Sequence, residues 1–251
     1  MAQWRLNGFY DVSKTAGLFE AAQHRSSCRA FSAAPTTAQW NALTTASTQL
    51  ALPGVRIALG LCDTKLFQPL GGILMKFENV QRFAAIIATD NDPCAVVNAG
   101  ISGELFLLKA VESGLAGCWV TGTYKRGLVG IRVGDGEKLL GLIALGVPAK
   151  HPELPIQRKR KAITVICPEF EQLNSAFREL VQYVQIAPSA MNMQPWRIKM
   201  IGEKTMQISV GLPAQRIDLG IGFAHAVIAL GSSHAHFELE ADGLSATVEL
   251  Q

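Results

Sequence analysis

Apolar residues recur along the chain with two different periods. Spacing by three and four residues, which is typical of amphipathic helices, covers 39–52, 98–115 and 170–184. Continuous or alternating apolar residues, which indicate strands, occupy 55–59, 83–88, 139–147 and 196–201. A glycine-containing segment at 70–73 is typical of a hairpin. The patterns predict a mixed fold of helices and strands.

Two segments with similar glycine placement indicate an internal repeat. Residues 98–103 read Asn-Ala-Gly-Ile-Ser-Gly and residues 218–223 read Asp-Leu-Gly-Ile-Gly-Phe, and each runs into an apolar helix. A helix and then a strand with an Arg-Ile pair precede both segments. We predict two tandem αβ halves, 1–155 and 156–251, that share one core as the subunits of an intertwined dimer do. The alternative is that two unrelated segments share glycines by chance.

The composition excludes several classes of function. Of 251 residues, 49% are hydrophobic and 17% charged, which is enough apolar material for a buried core. The net charge of +3 is too small to indicate nucleic-acid binding, and only 158–161 forms a basic run. The five scattered cysteines lack Cys-x-x-Cys spacing, which argues against a disulfide framework or a zinc site. We find no signal-peptide pattern and no apolar run of about 20 residues, so we expect a cytoplasmic protein without a membrane partner.

A polar loop bounded by prolines, at 187–197, is the most informative segment of the chain. It lies between a predicted helix and a predicted strand and reads Ala-Pro-Ser-Ala-Met-Asn-Met-Gln-Pro-Trp-Arg. Pro188 and Pro195 restrict the backbone. The amides of Asn192 and Gln194 each carry donors and an acceptor, which suits the edge of a planar heteroaromatic ligand. An ordinary helix-to-strand turn is the alternative.

Two further segments offer binding chemistry. Residues 24–29 contain Arg25, Ser27 and Arg29, whose guanidinium and hydroxyl groups could cradle an anion, although a surface turn would look the same. In the segment 114–122 we expect Gly117 to end the preceding helix and Gly122 to let a flat ligand approach the backbone.

Several catalytic constellations are missing from the sequence. Cys118 has apolar neighbours and is better interpreted as a buried structural cysteine than as a nucleophile. His234 and His236 would share one face of a strand but have no third ligand nearby, so we expect no metal site. The chain shows no Ser-His-Asp order, no paired carboxylates, no P-loop and no dinucleotide fingerprint.

Taken together, the motifs resemble those of the nitroreductase-like flavoprotein family. Arg25-x-Ser27-x-Arg29 resembles its Arg-x-Ser-x-Arg motif, and residues 188–197 resemble its Pro-Ser-x-x-Asn-x-Gln-Pro-Trp loop. Residues 114–120 resemble its Gly-Leu-Gly-x-x-Trp-Ile step, and Lys150 with 158–160 resembles its C-terminal basic residues. The resemblance covers about residues 24–230. It implies the family's α+β fold, with the two halves as a pseudo-dimer around central antiparallel sheets.

The order of these motifs departs from the family pattern, because the Pro-Ser loop comes last. At its expected place the chain has Ser-Thr-Gln-Leu-Ala-Leu-Pro-Gly, at 47–54, and the second half lacks both the Arg-Ser-Arg motif and a counterpart of Trp119. The chain is similar in this respect to single-chain, fused members of the family from anaerobes. Each half would then supply a different part of one flavin site. We expect one flavin per chain, and a monomer.

The resemblance implies FMN as the cofactor, with NADH or NADPH delivering hydride to flavin N5. A small-molecule acceptor, such as a nitroaromatic or a quinone, would then take two electrons. No side chain is expected to act as a catalytic acid. The implied cofactor-binding residues are Arg25, Ser27, Arg29, Val120, Thr121, Gly122, Arg158, Arg160, Pro188, Ser189, Ala190, Asn192 and Gln194.

These residues have different implied roles. Arg25, Arg158 and Arg160 would bind the FMN phosphate, and Arg29 would stabilise negative charge at flavin N1 and O2. Asn192 and Gln194 would hydrogen-bond the isoalloxazine edge. The backbone of 120–122 would face N5 and O4.

Two alternatives stay open at this point. The protein could retain a flavin without nitroreductase turnover, or perform a different flavin chemistry such as reductive dehalogenation or flavin fragmentation. Residues 60–80, which include Lys65, Phe67 and Phe77, could form a lid over the flavin or a surface hairpin.

Overall fold

Two antiparallel sheets flank a central pair of helices in the computed structural model, which describes residues 4–5, 17–68, 76–151, 156, 158–230 and 235–250. The predicted α+β class is therefore confirmed. The predicted hairpin at 70–73 lies outside the described residues.

The first sheet is built around one long strand. Its strands are β2 (Phe31–Ala33), β3 (Val55–Leu61), β4 (Arg82–Thr89), β5 (Ala116–Val120) and β6 (Glu137–Pro148). Strand β6 pairs with β4 along one side and with β5 and β2 along the other, and β3 pairs with the outer side of β4. Six consecutive residues of β4 are buried, which explains why its sequence is continuously apolar.

The second sheet is built from the chain termini and the segment after the polar loop. Its strands are β1 (Trp4–Arg5), β7 (Arg197–Met200), β8 (Thr205–Ser209), β9 (Ala235–Leu239) and β10 (Ser245–Leu250). They lie in the order β7-β8-β10-β9-β1, and every pairing is antiparallel. In β8 buried residues alternate with partly exposed ones, as expected of a sheet covered on one face.

The described residues form six α-helices, and side chains cap the first turns of three of them. The helices are α1 (Leu18–His24), α2 (Thr37–Gln49), α3 (Pro93–Glu112), α4 (Ile163–Ile166), α5 (Ser175–Ile186) and α6 (Arg216–Leu230). Thr36 and Gln39 form a capping box at α2, Asp92 accepts from the Cys94 N–H at α3, and Asn174 caps α5.

Helices α3 and α6 touch backbone to backbone because two glycines face each other. A Cβ on Gly220 would collide with the Val97 carbonyl oxygen and lie 2.9 Å from the Gly100 Cα. A Cβ on Gly100 would collide with the Ile217 carbonyl oxygen. Gly100 and Gly220 occupy the same position in the two repeat-like segments, 98–103 and 218–223. Their contact is what two related halves would produce, but it does not test a duplication, and the division into halves stays a prediction.

Helix α3 is the core helix of the fold. By length and composition it could cross a membrane, but 83% of its most apolar 18-residue window is buried within the protein. Its neighbours in the main apolar core come from α1, α5, α6 and the inner faces of both sheets. This burial accounts for its apolar sequence.

The structure corrects the predicted end of this helix. Helix α3 ends at Glu112, and Gly114, not Gly117, adopts the left-handed backbone, with φ of 82°. Gly117 lies in β5, where a Cβ would come within 2.7 Å of the Ala144 carbonyl oxygen. The third predicted helix is also interrupted, since a 3-10 turn at Phe170–Gln172 precedes α5.

We expect Gly220→Ala to lower the free energy of unfolding by about 1–3 kcal/mol, because the added methyl group forces α3 and α6 apart. The higher helix propensity of alanine offsets at most about 1 kcal/mol of this loss. Chemical denaturation measures the difference. Gly127→Ala is the control, since a Cβ there meets no atom within 4 Å. A Gly220→Ala protein as stable as the wild type would contradict the described packing.

Candidate functional site

The Arg-Ser-Arg segment lies directly beside the Gly-Trp segment. Ser27 forms a parallel bridge with Gly117, and the Cys28 N–H donates to the Gly117 carbonyl over 3.0 Å. Two sequence motifs almost ninety positions apart thus form one surface. Arg29 is half-buried, and its Nε has no hydrogen-bond partner among the described residues. A buried donor without a partner is costly, so this guanidinium is suited to a ligand or a water.

The end of β5 presents an open backbone. Val120 is buried, whereas Thr121 and Gly122 are exposed. A Cβ on Gly122 would meet no atom within 4 Å. The space above this glycine is therefore free, and the approach of a flat ligand to this backbone stays a prediction.

The polar loop adopts a strained conformation. A 3-10 turn spans Ala190–Asn192, and the backbone φ is 49° at Met191, 57° at Asn192 and 46° at Gln194. Left-handed conformations are costly for residues other than glycine and persist only where the surroundings impose them. The surrounding contacts therefore hold residues 191–194 in a defined shape.

The first turn of α6 holds the loop in this shape. Asp218 Oδ1 accepts from the Ala190 N–H over 2.9 Å, and the Trp196 indole N–H donates to the Asp218 carbonyl over 2.7 Å. Within the loop, the Gln194 N–H donates to Ser189 Oγ over 2.8 Å. Burial raises the pKa of Asp218 to about 6, although the bond from Ala190 acts in the opposite direction.

Two arginines of the basic run tie the loop to the N-terminal segment. Arg160 Nη1 donates to Asn192 Oδ1 over 2.7 Å, and its Nη2 donates to the Ile186 carbonyl over 3.0 Å. Arg158 Nη2 donates to the carbonyls of Gln23 and Arg25, each over 2.7 Å. The structure thereby brings Arg158 and Arg160 close to Arg25, which precedes them by more than 130 positions in the sequence.

The positive charge of these two arginines is not neutralised within the described part of the chain. Neither Arg158 nor Arg160 forms an ion pair there, and the Nε of each is buried without a hydrogen-bond partner. Burial, and then repulsion by Arg25, lowers the pKa of both guanidinium groups to about 10. A pocket of partly dehydrated, unpaired cations is suited to a phosphate.

The two loop amides are used within the protein. Asn192 Nδ2 donates to the Lys159 carbonyl over 2.9 Å, so both polar atoms of this exposed side chain have protein partners. Gln194 is buried, and its Oε1 accepts from the Lys161 N–H over 2.8 Å. These bonds join the loop to the basic run. Contact of either amide with an isoalloxazine edge stays a prediction.

A largely buried cluster around Glu104, which the sequence analysis missed, lies beneath the site. Glu104 on α3 places Oε1 2.9 Å from His225 Nε2 on α6, while its Oε2 accepts from the Trp119 indole N–H over 2.8 Å. Arg25 Nε lies 3.5 Å from Glu104 Oε1. The detectable signal was one acid and one histidine, each within an apolar stretch of a helix.

The cluster holds one carboxylate in its charged form. Burial alone would raise the pKa of Glu104, but the hydrogen bond from His225 and the charge of Arg25 outweigh it, and the pKa is lowered. Burial lowers the pKa of His225. The Arg25 guanidinium is thus enclosed beside a carboxylate. The predicted contact of Arg25 with a phosphate is untested, and these bonds favour a different role for it.

The described parts of 60–80 pack close to the Arg-Ser-Arg segment. Leu66 and Phe67 are buried in an apolar cluster on the outer face of the first sheet, and the Phe67 and Phe77 ring centroids are 5.1 Å apart. The Glu78 N–H donates to the Arg29 carbonyl over 2.8 Å. Residues 69–75 lie outside the described part, so the lid and the hairpin both remain open.

The histidine pair at 234–236 and Cys118 were the other candidates. The described residues contain no group of three or more metal-ligating side chains, and His234 lies outside them. Cys118 is buried, and burial raises the pKa of its thiol, in keeping with a structural cysteine.

The architecture defines a nitroreductase-type fold. It is similar to a crystal structure described as a "putative nitroreductase" from Thermotoga maritima, with a TM-score of 0.68 and 20% identity over 93% of this chain and 94% of that one. A family model described as "Putative TM nitroreductase" matches residues 17–230. The chain belongs to this nitroreductase family, which confirms the resemblance found in the sequence.

Two further structures match a smaller part of the chain. An FMN-dependent nitroreductase from Clostridium difficile has a TM-score of 0.44 and 15% identity, over 63% of this chain and 97% of that one. The NADPH:FMN oxidoreductase from Vibrio harveyi, complexed with NAD+, has a TM-score of 0.44 and 20% identity, over 60% and 76%. No curated protein sequence matches this chain.

We expect Asp218→Asn to stabilise the protein more at pH 8 than at pH 4. Because the folded state raises the pKa of Asp218 from 3.8 to about 6, folded chains bind more protons than unfolded ones in this window. The contribution of Asp218 to stability is therefore present below pH 4 and is lost as the pH rises through 6. The asparagine keeps the acceptor for Ala190 without the buried charge. The gain in the free energy of unfolding of Asp218→Asn over the wild type should therefore increase by up to about 3 kcal/mol between pH 4 and pH 8.

Denaturant unfolding of both proteins at several pH values measures this difference. Asp135→Asn, in an exposed turn, controls for the loss of one negative charge. A difference between Asp218→Asn and wild type that is the same at pH 4 and pH 8 would show that the Asp218 carboxyl is not held as described.

Proposed function

We propose that this protein is an FMN-dependent oxidoreductase that uses NADH or NADPH to reduce nitroaromatics, quinones or similar small molecules. Membership of the nitroreductase family supports the reaction class. The observation that carries the proposal is the unpaired arginine pair, Arg158 and Arg160, bonded to a strained polar loop. FMN, when bound, would supply the hydride and two-electron chemistry.

The residues present fit the two ends of this cofactor. Arg158 and Arg160 offer buried Nε donors without partners to a phosphate, and Arg29 offers a similar donor to the flavin ring. The open backbone at Thr121 and Gly122 leaves room for a flat ring system. The family resemblance and the chemistry of these groups support a flavin that spans them.

The protein's own part in the reaction is binding and orientation. Arg160 would hold the phosphate and, through Asn192, the polar loop. Arg29 would stabilise negative charge at the flavin N1 and O2 positions. The backbone of 120–122 would face the N5 and O4 positions. No side chain needs to act as a catalytic acid.

We propose one FMN per chain and a monomer. The segment at the corresponding place in the first half, 47–54, consists of the end of α2 and a turn tied to α3: the Leu52 N–H donates to Ser102 Oγ and Asn98 Nδ2 donates to the Pro53 carbonyl. It has no counterpart of the Arg160–Asn192 bond. A second flavin site is therefore not expected, and the contact of α3 with α6 is made within one chain. A cytoplasmic location completes the proposal.

The protein as purified should be yellow and show flavin absorbance. Protein without colour should regain the spectrum when FMN is added, and anaerobic mixing with NADH or NADPH should bleach it. Failure to take up FMN would overturn the proposal. Uptake of FMN without bleaching by either nucleotide would show that the protein binds a flavin without turnover, and would contradict the proposed reductase activity.

We expect Arg160→Ala to weaken FMN binding by about 10- to 100-fold while changing riboflavin binding much less. The reason is that a charge-assisted hydrogen bond to the phosphate is worth about 1.5–3 kcal/mol, and riboflavin has no phosphate. Titration by quenching of flavin fluorescence measures both dissociation constants. Lys159→Ala is the matched control, since it removes one exposed positive charge from the same run. Equal losses for FMN and riboflavin would contradict the placement of the phosphate.

A further inference from the structure

Glu104 joins side chains from four separate parts of the chain. Its carboxylate contacts Arg25 after α1, Trp119 in β5 and His225 in α6, while Glu104 itself lies in α3. All of these groups except Trp119 are almost completely buried. A carboxylate in such a place is costly unless its partners are well oriented.

Two of these partners lead directly to the proposed flavin site. Arg25 Nη2 donates to the Ile186 carbonyl over 3.1 Å, and the same carbonyl accepts from Arg160 over 3.0 Å. Trp119 immediately precedes the open backbone of 120–122, and its ring packs on Gly103 of α3. A shift of Glu104 would therefore affect both Arg160 and the backbone of 120–122.

We propose that Glu104 is a positioning residue for the flavin site. Through Arg25 it fixes the Ile186 carbonyl, and with it Arg160 and the polar loop. Through the Trp119 indole it fixes the strand that leads to 120–122. Arg25 then acts behind the phosphate site and not as a phosphate ligand. This inference rests on the proposed binding of FMN.

The charges around Glu104 support this assignment. Arg25, Arg158 and Arg160 repel one another. Among the described residues, Glu104 is the only carboxylate that pairs with one of these three arginines, and it pairs with Arg25. Glu104 neutralises Arg25 and leaves Arg158 and Arg160 unpaired. A phosphate monoester carries close to two negative charges near neutral pH, which matches these two cations.

A double substitution separates positioning from a purely structural role. Removing one partner alone would leave a buried, uncompensated charge and could unfold the protein, whereas replacing both partners with apolar residues is often tolerated. We therefore compare Arg25→Met/Glu104→Leu with the wild type. The matched control is Arg56→Met/Glu137→Leu, which removes an ion pair between β3 and β6, away from the site.

The first measurement is the FMN dissociation constant, obtained by fluorescence titration beside the thermal unfolding of the apoprotein. We expect the Arg25→Met/Glu104→Leu protein to fold and to bind FMN at least about tenfold more weakly than the wild type. The control should keep the wild-type constant. A double variant that binds FMN as tightly as the wild type would overturn the inference. It would leave the proposed function intact.

The second measurement needs no FMN. Hydrogen exchange of the apoprotein should become faster in 186–194 in the double variant while the rate in β10 stays unchanged, and the control should alter neither. Equal acceleration in both segments would indicate a purely structural role and overturn the inference. If the wild type does not bind FMN, the proposed function fails, and the role of Glu104 toward a flavin fails with it. A double variant that does not fold would also count against the inference, since the pair would then be needed for folding itself.

Discussion

The backbone contact between α3 and α6 is the constraint on which the rest of the structure depends. Side chains would hold these helices apart, but Gly100 and Gly220 let them touch. At that separation Glu104 on one helix reaches His225 on the other, over 2.9 Å. The same placement sets the first turn of α6 against the polar loop, where Asp218 holds it. Close packing at two glycines thus determines where the polar groups of the interior can lie.

The interior and the proposed flavin site share a cluster of arginines that has more positive than negative charge. Glu104 lies beside Arg25, but Arg158 and Arg160 have no carboxylate partner in the described part of the chain, although much of each is buried. Burying unpaired cations costs free energy in the absence of a ligand. Favourable interactions with a bound anion would offset this cost. The left-handed backbone of the adjoining loop also costs free energy, and it persists because surrounding contacts hold it in place.

The sequence predicted local elements and motifs well, because each depends on neighbouring residues. The polar loop, the open glycine at 122 and the helices followed from spacing and from residue type. The predicted end of α3 at Gly117 was wrong because Gly117 belongs to β5, whose pairing with β6 is not visible in the local pattern. Glu104 was missed because its partners Trp119 and His225 lie 15 and 121 positions away, and only the tertiary fold brings them together. The burial of Arg25 depended on the same long-range contacts.

The central claim is that separate parts of one chain build a single flavin site. Native mass spectrometry of the intact protein, titrated with FMN, tests this claim most directly because it counts bound ligands on each assembly. The account predicts one FMN on a single chain at saturation. Two FMN molecules per chain, or binding only to an assembly of several chains, would contradict it.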